Sequence, residues 1–232
     1  MIRPLPLECA RVRILALLAA TLLSTAAAAA PFAVQLGDTR IALDTPPGFS
    51  DVEGTGSPRL LELAEALTSA SNRILLFALE DADVRRFTVG DSPLLRRYVI
   101  TVTPKGLETA RVTLAAFHAL VADSLRELGK QAPAGVELRP YIDSQPRGRP
   151  VLLTELRKDQ NVVSVLQGAR VPDAPRTKDA PRYLLSTTTL MLVRGKALNL
   201  ALYTAYDSDA DLEWTRTTTE RWIEQIEQLN LR

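Results

Sequence analysis

The sequence predicts an α+β fold in which a largely antiparallel sheet is packed with about three amphipathic helices. The first observation is a series of short runs of β-branched and aromatic residues, several of them separated by tight turns. The second is a set of three longer segments whose apolar residues recur at helical spacing. Because hairpin connections dominate, neighbouring strands are expected to run antiparallel, with the helices layered on the sheet.

The chain opens with a segment typical of a secretory signal peptide. Three arginines precede the apolar run at 14–23, and small residues follow it. The apolar run is about ten residues long, too short for a hydrocarbon core that needs roughly 20. We therefore expect cleavage between Ala29 and Ala30, which divides the chain into a signal peptide at residues 1–29 and a single domain at residues 30–232.

This leader predicts a periplasmic or secreted protein with no stable membrane span after cleavage. The only cysteine, Cys9, lies in the leader, so the exported body is expected to carry no thiol and no disulfide. Removing three arginines and Glu8 from the 28 basic and 27 acidic residues of the chain leaves a body with a formal charge of about −1. Such a near-neutral body argues against a nucleic-acid binder, whose surface is normally strongly basic.

The first half of the body predicts a hairpin, a helix and two further strands. Gly37-Asp38 is a good two-residue hairpin turn, and Ser57-Pro58 places an N-cap hydroxyl before a proline at the first helical position. The predicted elements are strands at 32–36, 40–43, 73–79 and 97–103, a helix from 57 to about 72 and a short helical turn at 81–87.

The second half predicts a long helix, five strands and a closing helix. Leu198, Leu200 and Leu202 share one face of the last strand, which we expect to be buried under helices. The predicted elements are a helix from Leu107 or Thr113 to Gly129, strands at 136–142, 151–156, 162–167, 183–193 and 197–206, a proline-punctuated loop at 172–181 and a helix from about 207 to 230.

Three parts of this layout resemble a known family. They are the opening hairpin that ends in Pro46-Pro47-Gly48-Phe49, the late hairpin through Val193-Arg194-Gly195-Lys196, and the closing helix with Trp222 and Asn230 near its end. The arrangement is similar to the PsbP-like α/β/α sandwiches, which include the photosystem II extrinsic protein and small bacterial envelope proteins. The resemblance implies a non-catalytic domain that binds or helps to assemble a partner, and it carries over no site residue.

Catalytic and cofactor motifs have little support in the sequence. The single histidine, His118, lies beside the apolar stripe of the long helix, and no G-x-S-x-G nucleophile motif accompanies it. A zinc site usually has several histidine or cysteine ligands, and the exported body has one histidine and no cysteine. The sequence also contains no glycine-rich phosphate loop. We therefore expect no cofactor, and a hydrolase that uses His118 with an unidentified nucleophile is kept as an alternative.

The acidic segment 207–211 resembles the start of a calcium loop. The calcium pattern then requires a glycine where this chain has Leu212, and a glutamate where Thr218 stands. Acidic residues at a helix start also complement the helix dipole. We therefore predict that this segment caps the closing helix.

Arginines are concentrated around the loop 144–150. Arg147 and Arg149 lie in this loop, and Arg157 follows the next predicted strand. Guanidinium groups bind carboxylates and phosphates through paired N–H groups, and a proline-stiffened loop loses less entropy on docking. These three arginines are predicted to bind a partner, with an ordinary solvated loop as the alternative.

Taken together, these features predict an exported, non-catalytic binding or assembly domain whose partner is an envelope protein. A second alternative is a carrier of a small apolar ligand, held between helix and sheet by residues such as Phe77, Tyr98 and Tyr203.

Overall fold

A computed structural model describes residues 31–146, 149–171 and 182–231 and confirms the α+β class. The strands are β1 (Phe32–Leu36), β2 (Thr39–Leu43), β3 (Phe49–Asp51), β4 (Asn72–Glu80), β5 (Arg97–Pro104), β6 (Val151–Lys158), β7 (Val162–Arg170), β8 (Tyr183–Val193) and β9 (Lys196–Ala205). The α-helices are α1 (Pro58–Ala66), α2 (Asp81–Thr88), α3 (Leu114–Leu125), α4 (Leu138–Asp143) and α5 (Asp209–Asn230).

Seven strands form one antiparallel sheet in the order β3-β4-β5-β9-β8-β7-β6, and β1 and β2 form a separate hairpin. The middle of the sheet joins β5 to β9 in a register that runs from Arg97↔Thr204 to Val102↔Asn199. The neighbouring β8–β9 hairpin turns through Arg194 and Gly195, which both have positive φ angles, of 51° and 79°. This backbone conformation matches the right-handed twist of the strands that the turn connects.

Helix α5 covers one face of the sheet and builds the largest core cluster. Its residues Trp222, Ile223 and Ile226 are buried together with the leucine face of β9. The predicted burial of Leu198, Leu200 and Leu202 under a helix is therefore confirmed.

The end of α5 is also tied to the β1–β2 hairpin. The Trp222 indole N–H donates to the carbonyl of Asp44, with Nε1 and O 2.8 Å apart. The side-chain amide of Asn230 donates to the carbonyl of Ala42 at 2.8 Å and accepts from its N–H at 3.0 Å. The hairpin is therefore fastened to the long helix although it pairs with no strand of the main sheet.

The opposite face of the sheet is covered by three shorter helices, α1, α2 and α3. Leu60 and Ala64 of α1 are buried against Phe77 of β4 and Tyr98 of β5. Phe117 of α3 is fully buried in a separate cluster beside β8. None of the described helices is both long enough and apolar enough to cross a bilayer.

The strand predicted at 136–142 is wrong, because this part of the chain forms α4. Its apolar residues Leu138 and Ile142 are four apart, a spacing that fits a helix as well as an alternating strand. Pro140 lies in the first turn, where a backbone N–H has no partner within the helix. Ile142 is buried against Val151 and other residues of the sheet, and this contact favours the helix.

Candidate functional site

One edge of the sheet is only partly covered, because β3 is much shorter than β4. The three residues of β3 pair with residues 78–80, and the N–H of Val52 donates to the carbonyl of Phe77 at 2.9 Å. Among the described residues no strand lies beside the outer edge of residues 72–76. These five residues span about 17 Å at roughly 3.3 Å per residue.

The residues that follow β3 turn the chain out of the sheet. A single 3-10 turn at Glu53–Thr55 ends at Gly56, which has a left-handed φ of 61°, and Pro58 then begins α1. Burial raises the pKa of the Asp51 carboxyl, and the N–H groups of Glu53 and Phe77 oppose only part of that shift. The turn therefore ends the strand pairing early and leaves a partly buried acid beside the free edge.

A cleft of about 560 Å³ lies between α1 and the free edge of β4. This volume falls within the range of pockets that hold small ligands, roughly 300–1,000 Å³. Leu61, which is 45% exposed, presents an apolar side chain on the helix side. The cleft is lined by residues 51–53 before α1, by Leu61, Ala64 and Glu65 of α1, by residues 68–70 after it, by residues 72–77 of β4 and by Lys105.

The charges that line the cleft are predominantly negative. Asp51, Glu53 and Glu65 form no ion pair with any described residue. The guanidinium of Arg73 is already paired with Glu108 and also donates to the Gln35 carbonyl. The ammonium of Lys105 donates to the carbonyl of Ala70 at 2.8 Å. Among the described residues of the cleft, three carboxylates therefore face one unpaired ammonium, and this net negative charge favours cationic groups over anionic ones.

The aromatic residues predicted to hold an apolar ligand form a compact cluster. The rings of Tyr98 and Tyr203 are stacked with centroids 4.5 Å apart, and Phe77 meets Tyr98 edge-on at 6.3 Å. Burial raises the pKa of both tyrosines, so their hydroxyls stay protonated. Of the three residues, Phe77 alone lines the cleft.

His118 is placed where it contacts the backbone of a turn. Its Nε2 lies 3.0 Å from the carbonyl oxygen of Gln160, between β6 and β7. No described serine, threonine or carboxylate is hydrogen-bonded to the imidazole. The geometry therefore supplies no nucleophile–base pair at this histidine in the part of the chain that the structure describes.

The predicted arginine surface is only partly visible. Arg147 lies outside the described residues, whereas Arg149 is exposed just before β6. Arg157 lies near the other end of β6, about 20 Å along the strand from Val151 at roughly 3.3 Å per residue. Its guanidinium makes two hydrogen bonds to the carboxylate of Glu227 on α5, both 3.0 Å long. The structure therefore separates Arg149 from Arg157 and ties Arg157 to a helix.

The acidic segment before α5 acts as a helix cap. The carboxylate of Asp211 accepts the N–H groups of Asp207 and Ser208, each at 3.0 Å, and pairs with Arg97 at the same distance. Burial disfavours the ionised carboxylate, but these N–H groups and the guanidinium together lower the pKa of Asp211. Within the described ranges no group of three or more histidine, cysteine or acidic side chains could hold a metal ion.

Sequence reasoning missed the acidic cleft. For this region the sequence predicts only a helix from 57 to about 72 and a strand at 73–79. One signal was available, because the short interval between Phe49 and Ser57 leaves room for only a very short strand. Which strand of a sheet lies at the edge cannot be deduced from a local pattern.

Comparison with known proteins gives only distant similarity. No protein-family model matches this sequence, and no curated protein matches it. Among solved structures, the chain is similar to the Ran-binding protein Mog1p of Saccharomyces cerevisiae, with 11% identity, coverage of 88% of this chain and 93% of that chain, and a TM-score of 0.37. A structure of a Mog1 mutant gives 12% identity, 88% and 94% coverage and a TM-score of 0.38.

Proposed function

We propose that this protein is an exported, non-catalytic binding or assembly module that holds an envelope protein partner in the cleft between α1 and β4. The observation that carries the proposal is a cleft of about 560 Å³ beside a stretch of β4 that no described strand covers. An uncovered strand edge offers a row of backbone donors and acceptors to another chain. The groove beside this edge can hold side chains of the added chain, and its shape then favours some sequences over others.

Three further features support this proposal. The leader pattern at residues 1–29 and its lone cysteine favour export of a thiol-free body. The imidazole of His118 contacts a backbone carbonyl, and the Asp211 carboxylate caps a helix. The resemblance of the two hairpins and the closing helix to PsbP-like sandwiches favours an accessory role.

The proposal is tested by site-specific photocrosslinking in cells that produce the full-length chain. A photoreactive residue replaces Leu61, which lines the cleft, and in a matched control it replaces Leu94, which is 61% exposed and lies outside it. We expect an adduct of discrete mass from position 61 and none of that mass from position 94. No adduct at position 61, or the same adducts at both positions, would contradict the proposed site.

A second candidate function is carriage of a small apolar ligand, because the cleft volume suits one and Phe77 lines it. Native mass spectrometry of the purified protein distinguishes the two candidates. A co-purifying small molecule that is lost on Leu61→Asp substitution would favour the carrier.

A further inference from the structure

We infer that the occupant of the α1–β4 cleft is an extended peptide segment with basic side chains, which adds to the outer edge of β4 as a further strand. This inference rests on the proposed function and names the chemistry of the partner. It combines an uncovered stretch of strand backbone with unpaired carboxylates around it.

The backbone of the free edge is already held in strand geometry. On its inner side β4 pairs with β5, through Arg73↔Thr103, Ile74↔Val102 and Leu76↔Thr101. A strand fixed on one side loses little further conformational freedom when a second strand is added on the other. The register shift between Ile74 and Leu76 bends this edge locally, so we expect the added strand to be short, about five residues.

Apart from the register shift between Ile74 and Leu76, the edge carries few of the features that prevent strand pairing. Natural edges are commonly blocked by prolines or by charged side chains along the strand. The stretch 72–77 contains no proline, and its one charged residue, Arg73, is bound by Glu108. Leu75 and Leu76 are buried in the core, so the backbone at this edge is firmly supported. The edge is therefore suited to pair with another chain.

The side chains around the edge specify the partner's chemistry. Leu61 and Ala64 on α1 form an apolar wall for residues on one face of an added strand. Asp51 is opposite Ala78 in the β3–β4 register, so it lies near the last residues of β4. Helix α1 runs back toward the start of β4 and places Glu65 near that end of the cleft. These carboxylates outnumber Lys105, the one unpaired cation among the described residues of the cleft, because Arg73 is paired with Glu108, and they favour a segment with a basic side chain at each end.

The test uses a defined peptide and the full-length protein. The probe is a fluorescent seven-residue peptide of alternating valine and threonine with lysine at both ends, and binding is measured by fluorescence anisotropy. We expect a peptide with glutamate in place of both lysines to bind at least about tenfold more weakly. The lysine peptide with alternate backbone amides N-methylated should lose affinity to a similar extent, because it cannot complete the strand pairing.

Matched protein variants locate the peptide on the structure. Glu65→Lys changes a residue that lines the cleft, and Glu62→Lys changes an exposed residue of the same helix that does not line it. We expect the first variant to weaken binding of the lysine peptide by about three- to tenfold and the second to leave it unchanged. The outward-facing amides among residues 73–76 should exchange hydrogen more slowly when the peptide is bound.

The outcomes separate this inference from the proposed function. Equal binding of the N-methylated peptide, or equal effects of the Glu65→Lys and Glu62→Lys variants, would overturn strand addition at this edge. Strand addition would also be overturned if the lysine peptide failed to bind while crosslinking at position 61 persisted. That result would still support the proposed binding module. Loss of crosslinking at position 61 would overturn the proposed function itself.

Discussion

At the residue scale, Lys196 shows how one buried charge can connect separate parts of a chain. Its side chain is about 2% exposed, and its Nζ donates to the carbonyls of Glu108 at 3.3 Å, Thr109 at 3.1 Å and Ala110 at 3.0 Å. An ammonium group has three N–H donors, so all of them are used. The residue therefore fastens the loop before α3 to the start of β9.

Lys196→Met should lower the free energy of unfolding by about 2–3 kcal/mol, because three carbonyls lose their donor inside the protein. Urea denaturation measures this change. Lys158→Met is the control, since that side chain is 71% exposed and its nearest carboxylate is 3.8 Å away. The control should change stability by less than about 0.5 kcal/mol, and equal losses would contradict the role of Lys196.

Asp44 should give the protein an unusual pH dependence. Burial raises the pKa of this carboxyl, although the Thr45 N–H and the Gln225 amide oppose the shift. The native carboxyl then binds a proton more tightly than the unfolded one, so its contribution to stability falls as pH rises above about 3.9. Asp44→Asn should therefore gain stability relative to the unmodified protein between about pH 4 and pH 7.

Asp38 provides the control of opposite sign for this pH experiment. A hydrogen bond from Thr39 lowers the pKa of Asp38, so its contribution to stability is present at neutral pH and is lost on acidification. Asp38→Asn should lose only a little stability relative to the unmodified protein as pH rises from acid to neutral, because the Asp38 side chain is 91% exposed and solvent screens its contacts. If the free energy of unfolding changes with pH in the same way in the Asp44→Asn variant and in the unmodified protein, burial does not raise the pKa of Asp44.

At the element scale, α5 depends on the cap at its first turn. Asp211→Ala removes the acceptor of two backbone N–H groups and the partner of Arg97, and we expect a loss of about 1–2 kcal/mol in the free energy of unfolding. Thermal or urea denaturation measures it. Glu213→Ala, an exposed change in the same turn, should have an effect of less than about 0.5 kcal/mol. Similar losses in both variants would refute the cap.

The contact between β6 and α5 can be tested separately. Arg157→Lys keeps the charge but cannot reproduce the two parallel hydrogen bonds to Glu227, so we expect stability to fall by about 1 kcal/mol. Arg149→Lys is the matched control, because Arg149 is exposed before β6 and should leave the urea midpoint unchanged. Identical midpoints for the two variants would mean that Arg157 does not anchor the helix and is available to a partner.

At the scale of the whole molecule, the sheet should be most stable at its centre. Strand β9 is paired on both sides, with β5 and β8, and its leucine face is buried under α5. Within the sheet, we expect the amides of β9 to show the slowest native-state hydrogen exchange. We expect the amides of β3 and of residues 72–76 of β4 to show the fastest. Exchange of β3 at the rate of β9 would contradict this gradient.

Local patterns in the sequence predicted most strands but not the site. The alternation of Leu198, Leu200 and Leu202 correctly indicates a buried strand face, because side-chain direction along a strand is a property of neighbouring residues. The segment 136–142 was wrongly predicted as a strand because its apolar spacing suits both periods, and packing against Val151 decides between them. The free edge of β4 depends on strand order, which is set by contacts between distant residues.

The pairing of β5 with β9 has a consequence for how the chain is made. Arg97 lies opposite Thr204, so the middle of the sheet cannot close until β9 has been synthesised and has emerged from the ribosome. At roughly 5–20 residues per second, synthesis of the intervening hundred or so residues takes about 5–20 s. During that interval the apolar strand β5 has no β9 beside it, and the nascent chain is open to chaperones and to aggregation.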